Sequence, residues 1–157
     1  MAGCGEFAPD PSPDRAGPPH PGPPHPGLSP AEVLAAGGWH PRYARVLAVA
    51  SDGDYGFALV DGNGDGAELE EEFWRWEDGR WRGGSTSGAG PLDQLPPLVT
   101  GGQIEHAQAA FGRAAGRETV TVRFEQRQYV IPVSPLGVWC FIKEAAGPRP
   151  GSADLVP

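Results

Sequence analysis

Lysine is nearly missing from this chain: Lys143 stands alone against eleven arginines. Together with abundant alanine, glycine and proline, that bias resembles the coding of a high-GC bacterial genome. Cysteine is scarce as well. Cys4 near the start and Cys140 inside the apolar run VWCFI make no disulfide framework, and Cys140 reads as a small buried apolar group. No apolar run approaches the roughly 20 residues of a membrane span, and the first residues show neither a charged region followed by an apolar one nor an apolar segment ahead of Cys4. No transmembrane helix and no secretory or lipoprotein leader is expected, and the cytoplasm is the default location.

Positive charge is lacking too. The net charge is −8 at pH 7, and residues 39–100 hold eleven acids against five bases. Nucleic acid and anionic membrane are therefore disfavoured as partners, while a cation, a basic partner or simple solubility is favoured. Sequence-local catalytic groupings are also missing. Gly84-Ser85-Thr86-Ser87-Gly88 brushes against the nucleophile-elbow pattern, but threonine occupies the nucleophile position and no strand-to-helix pattern follows. His40 and His106 have no partner nearby in sequence.

Glycine (24) and proline (19) make up more than a quarter of the chain, so their placement decides between disorder and a loop-rich β fold. Ten of the prolines fall in the first 30 residues, where PPHPG occurs twice in tandem, at Pro18–Gly22 and Pro23–Gly27. Residues 1–28 are expected to form a disordered tail of polyproline II character. His20 and His25 read as parts of a spacer, ahead of a weak metal site or a motif for a proline-recognising groove. Ser29-Pro30-Ala31-Glu32 is a capping box with proline at the first helical position, and Gly37-Gly38 is a stop, so residues 29–38 hold a short helix, Pro30–Ala36.

From Tyr43 the apolar period becomes two. Arg45–Ser51 and Asp54–Val60 make a hairpin if Asp52-Gly53 is its turn, which sets Ala50 against Tyr55, Ala48 against Phe57 and Val46 against Leu59, with Leu47, Val49, Ala58 and Val60 on the other face. A third strand, Leu69–Glu77, and a fourth, Arg80–Ser85, meet at Asp78-Gly79, where a type I′ turn places Trp76 opposite Trp81 and Glu77 opposite Arg80. Residues 39–85 thus form a four-stranded antiparallel meander, and 86–100 a linker or long loop. Residues 101–145 form a second, β-sandwich-like piece that shares the first piece's core. Within it Gln103–Ala115 fits a helix or a strand, and the alternation of Val120, Val122 and Phe124 just beyond it favours strand. A turn at Gln126-Arg127 opposes Phe124 to Tyr129, Val122 to Ile131 and Val120 to Val133, and Val138–Lys143 is the last strand. Residues 146–157 read as a tail. The fold class is all-β.

Two sites are candidates. Asp61, Asn63, Asp65 and Glu72 stand at the ligand spacing of a calcium loop, D-x-[DN]-x-[DN]-G-x5-E, but strands flank the loop where an EF-hand has helices. The alternative is a polar hairpin loop whose glycines supply the turns. Trp74, Trp76 and Trp81 read as core or hairpin stabilisers, since an aromatic surface for stacking bases needs basic surroundings. An enzyme reading would need His106, Cys140 and a carboxylate in one pocket.

GRAAGRETVTVRF followed by YVIPVSPLGVWCFI resembles the small β-sandwich pattern of uncharacterised proteins of high-GC actinobacteria and, more distantly, carboxypeptidase-regulatory-like domains; WRWEDGRW with GGSTSG resembles the meander half of the same group. The hairpin also resembles the closing hairpin of nuclear-transport-factor-2-like domains, whose helices before the sheet are missing here. The resemblance covers residues 39–145 and implies a fold, with no substrate and no catalytic residue. The expectation is a non-enzymatic β module that binds a protein or small molecule, with no disulfide, no membrane and no cofactor. The alternatives are a calcium-binding protein using the 61–72 loop and a small enzyme around His106.

Overall fold

A computed structural model describes residues 25–147 and 150–157. Helix α1 (Pro30–Ala36) forms through its capping box: the Glu32 N–H donates to Ser29 Oγ at 3.2 Å and the Ser29 N–H donates to Glu32 Oε1 at 3.3 Å, while Val33 is buried. Period-two alternation then gives β1 (Arg45–Asp52), β2 (Tyr55–Asp61), β3 (Leu69–Glu77) and β4 (Arg80–Gly90), paired in chain order as one antiparallel sheet. Asp78 and Gly79 both take positive φ, 54° and 79°, and the predicted Trp76–Trp81 and Glu77–Arg80 pairs form.

The first hairpin differs from expectation by two residues. Its turn is Gly53-Asp54, closed by Asp52 opposite Tyr55, so Ala50 faces Phe57 and Ala48 faces Leu59. The turn takes positive φ at its first central residue alone, and Gly53 (φ 58°) supplies it, the type II′ arrangement. A bulge at Leu47 then carries Val46 opposite Val60, which swaps these two side chains between faces: Leu47 packs inward with Phe57, and Val46 packs outward.

The remaining strands are β5 (Val99–Ile104), β6 (Ala107–Arg113), β7 (Thr119–Phe124), β8 (Arg127–Pro132), β9 (Val138–Glu144) and β10 (Ala153–Val156). They form two further sheets, ordered β5-β6-β9 and β10-β7-β8. Within Gln103–Ala115 the chain is strand on both sides of a Glu105-His106 turn, as far as Arg113. The β7–β8 turn lies at Glu125-Gln126, both at positive φ (52° and 66°), which pairs Val122 with Tyr129 and Val120 with Ile131, again two residues from the expected register. A slip of two leaves every side chain on its own face, which is why the apolar pattern did not detect it.

Three segments expected to be irregular are ordered. β4 runs on to Gly90, its glycines and serines pairing through the backbone alone with Leu69–Glu72, so the linker expected at 86–100 narrows to a short connection around a 3-10 turn at Leu92–Gln94. In the expected tail 146–157, Ala153–Val156 adds as β10 to the free edge of β7, Ala153 opposite Phe124 and Leu155 opposite Val122. Of the expected tail 1–28, residues 1–24 lie outside the described residues, while Leu28 is buried against Trp74 and Trp81, because the outer face of the first sheet is apolar and needs a cover.

The layers follow from these faces. One core lies between the first sheet and the central β5-β6-β9 sheet, joining Phe57, Leu59 and Phe73 to Ala109, Phe111 and Cys140, so both halves of the chain share it. A second lies between the central and third sheets around Trp139, Phe141, Val122 and Phe124. The third covers the outside of the first sheet with α1 and Leu28. No helix among the described residues is long and apolar enough to cross a membrane.

Candidate functional site

The acidic loop is organised around its own fold. Asp61 is fully buried, and its carboxylate accepts from the N–H groups of Gly64 (3.0 Å) and Gly66 (2.7 Å) and from the Arg45 guanidinium (3.0 Å). Burial pushes this carboxyl up, but those three donors outweigh it and hold it below the usual range. Asp65 caps the Ala67 N–H at 3.0 Å. The glycines serve packing: a Cβ on Gly62 would meet the Trp39 ring at 2.7 Å, and one on Gly64 (φ 75°) would meet the Tyr43 carbonyl at 2.2 Å. Glu72 sits elsewhere. Asp61 pairs with Leu69 on the inner face, whereas Glu72 pairs with Ala58 on the outer face. Its carboxylate accepts from the indole N–H groups of Trp39 (2.7 Å) and Trp74 (3.1 Å), and burial raises its pKa against the pull of both bonds. The four residues at calcium-loop spacing therefore do not converge, because an odd step along a strand changes face. Among the described residues no group of three or more His, Cys, Asp or Glu could hold a metal ion.

His106 and Cys140 are also kept apart. His106 Nε2 lies 2.6 Å from Glu144 Oε2 at an exposed corner, beside Tyr55, whose hydroxyl donates to Glu105 at 2.7 Å and is pushed up to about 12 by burial and by that carboxylate. Glu105 also meets Arg75. Cys140 is four residues along β9 from Glu144, about 13 Å at about 3.3 Å per residue, and its thiol is pushed up by burial between two sheets. Such a thiol stays protonated and is a poor nucleophile. Trp74 and Trp81 are buried and Trp76 is half-buried, each packed in the outer core.

An opening of about 560 Å³ lies where three sheet edges meet: β1, β8 with the segment after it, and β9. Ala48, Ala50, Ile131, Val133, Cys140 and Ile142 line it with apolar surface, and Asp52 and Lys143 mark one end. The chemistry of β9 here is set by alternation. The Ala145 N–H donates to the His106 carbonyl on the β6 side, so Trp139, Phe141 and Lys143 direct their main-chain groups to β6. Val138, Cys140, Ile142 and Glu144 direct theirs into the opening. At its two ends that edge is satisfied: the Val138 carbonyl accepts from the Ser134 N–H at 2.8 Å, and the Glu144 N–H donates to Asp52 Oδ2 at 2.9 Å. Between them Cys140 and Ile142, both only 4% exposed, direct their main-chain groups toward β1, to which no ladder joins β9 among the described residues.

The sequence could suggest that VWCFI is covered on both faces, since it is continuously apolar. It could not say that β9 ends its sheet, because that depends on which distant strands pair. No family model, curated protein or solved structure matches the chain.

Proposed function

We propose that this protein is a non-enzymatic binding module that takes an extended polypeptide along the edge of β9. The observation that carries the reading is the edge of β9 at Cys140 and Ile142, directed into an apolar groove and joined by a ladder to no strand but β6 among the described residues. An added strand would pair such an edge at the roughly 4.7–4.9 Å spacing of a sheet, and because β1 already lies against β9 it takes that place as β1 moves aside. Strand addition of this kind draws affinity from the backbone and specificity from alternate side chains, which here would enter the space between Ala48 and Ala50 on one side and Ile131 and Val133 on the other. Asp52 and Lys143, paired with each other at 3.4 Å, close one end. The net charge of −8 supports a polypeptide partner over nucleic acid. The edge is not left open for casual pairing: β8 carries Pro132, and β1 lies beside β9.

Selection of peptides from a random display library on the full-length protein tests this reading. Enriched sequences should be extended and free of internal proline, and in amide correlation spectra they should shift Cys140 and Ile142 before other residues. Enriched peptides that shift only residues outside the groove would refute it.

A further inference from the structure

The second PPHPG repeat ends on a built aromatic cleft. The His25 ring stacks on Trp76 with centroids 4.1 Å apart and planes 6° from parallel, and it meets Trp81 edge-on at 5.3 Å. The Trp81 indole N–H donates to the Pro26 carbonyl at 3.1 Å. Asp54, in the β1–β2 turn, places Oδ1 2.9 Å from His25 Nε2. One short motif is thus read three ways: the imidazole by an indole face, its nitrogen by a carboxylate, and the following carbonyl by an indole N–H. Polyproline II segments leave their carbonyls unpaired, and aromatic-lined grooves take them by this combination of flat packing and a single donor.

We propose that Trp76, Trp81 and Asp54 form a recognition site for the Pro-His-Pro-Gly motif of a proline-rich partner polypeptide, with the chain's own His25–Gly27 as the resident occupant that the partner displaces. The resident segment defines the ligand chemistry. Proline on both sides of the histidine holds the backbone extended, so little conformational freedom is lost on docking. Asp54 selects histidine over other flat side chains, because it faces the ring nitrogen rather than the ring face. A tethered segment competes at an effective concentration of about millimolar, so the intact chain binds a free peptide weakly until its own histidine is removed. The cleft is distinct from the β9 groove, and failure of either proposal leaves the other standing.

The test is made on the full chain with His25→Ala, which removes the resident ring and keeps both tryptophans and Asp54. The probe is the synthetic peptide Gly-Pro-Pro-His-Pro-Gly-Pro, followed through the indole N–H resonances of Trp76 and Trp81. The variant should saturate at a peptide concentration at least about tenfold below that needed by the wild type. The same peptide with alanine for histidine should not bind, and adding Trp76→Ala should abolish the response. In the wild-type chain, which needs no substitution, excess peptide should release the His25 ring resonances toward those of a free histidine. The proposal is overturned if the folded His25→Ala chain shows no indole shift at millimolar peptide, or if the alanine peptide binds equally. It is also overturned if the wild-type His25 resonances stay unmoved, or if indole shifts follow protein concentration without peptide, which would assign the cleft to a second copy's repeat.

Discussion

Replacing Gly112 by alanine should destabilise the protein by overpacking the seam between its central sheet and the connection that crosses it. A Cβ at this position would stand 1.9 Å from the Pro97 carbonyl oxygen, 2.6 Å from its carbon and 3.1 Å from the ring of Trp139. None of these can yield cheaply. Pro97 is held by the Arg113 N–H donating to the neighbouring Pro96 carbonyl at 3.0 Å, and Trp139 is fully buried in the second core. Overpacking of a tight interior costs about 1–3 kcal/mol, and main chain on the opposing side places this case at the top of that range. Removing a strand glycine returns about 0.5–1 kcal/mol of chain entropy, which leaves a net loss of about 2–2.5 kcal/mol. For a domain of this size that lowers Tm by roughly 10 °C. Thermal unfolding followed by near-ultraviolet circular dichroism measures it, with Gly147→Ala, which meets no atom of the described residues within 4 Å, as the neutral control. A fall of less than about 3 °C in Gly112→Ala would refute the clamping of the Pro96-Pro97 connection onto the central sheet.

Trp39→Phe leaves the buried Glu72 carboxylate with one indole donor instead of two, so urea denaturation should show a loss of about 2 kcal/mol, and the Glu72 carboxyl, already raised by burial, should titrate higher still in carbon-detected spectra. His25 has an acceptor at each ring nitrogen, the Pro26 carbonyl and Asp54, and only the imidazolium can donate to both. Burial pulls its pKa down, but these partners outweigh burial and raise it above 6.5. The stability that this contact contributes is therefore fully present below pH 6.5 and is lost as pH rises through the higher folded value, so the Tm difference between wild type and His25→Ala should shrink from acid to alkaline solution. Cys140, buried and protonated, should resist a thiol reagent in the native state and react once the chain is unfolded; rapid native labelling would contradict its place between the sheets.

Much of the fold was legible because apolar alternation and turn chemistry act locally. Asp78-Gly79 announced its turn and register, and the Ser29–Glu32 box announced its helix. The registers that slipped by two, at Gly53-Asp54 and Glu125-Gln126, slipped where alternative turns preserve every face, so the pattern could not separate them. The end of β4, rich in Gly and Ser, carries little strand preference, and β10, only four residues of which two are Ala153 and Asp154, is too short to show a period; both are recruited by an edge that already exists. The calcium-loop spacing was a one-dimensional match that sheet geometry divides between two faces. The groove and the tryptophan cleft both arise from long-range pairing: three sheet edges in one, and a residue near the chain's start against β3 and β4 in the other.

The edge of β9 that faces β1 carries the proposed binding, and amide hydrogen exchange measures that edge residue by residue. The Trp139 and Phe141 amides, directed to β6, should be strongly protected, while the Cys140 and Ile142 amides of the unliganded protein should exchange at least about tenfold faster and gain protection when a selected peptide is added. Equal, strong protection across all four amides in the unliganded protein would show that the edge is already paired and would contradict strand addition there.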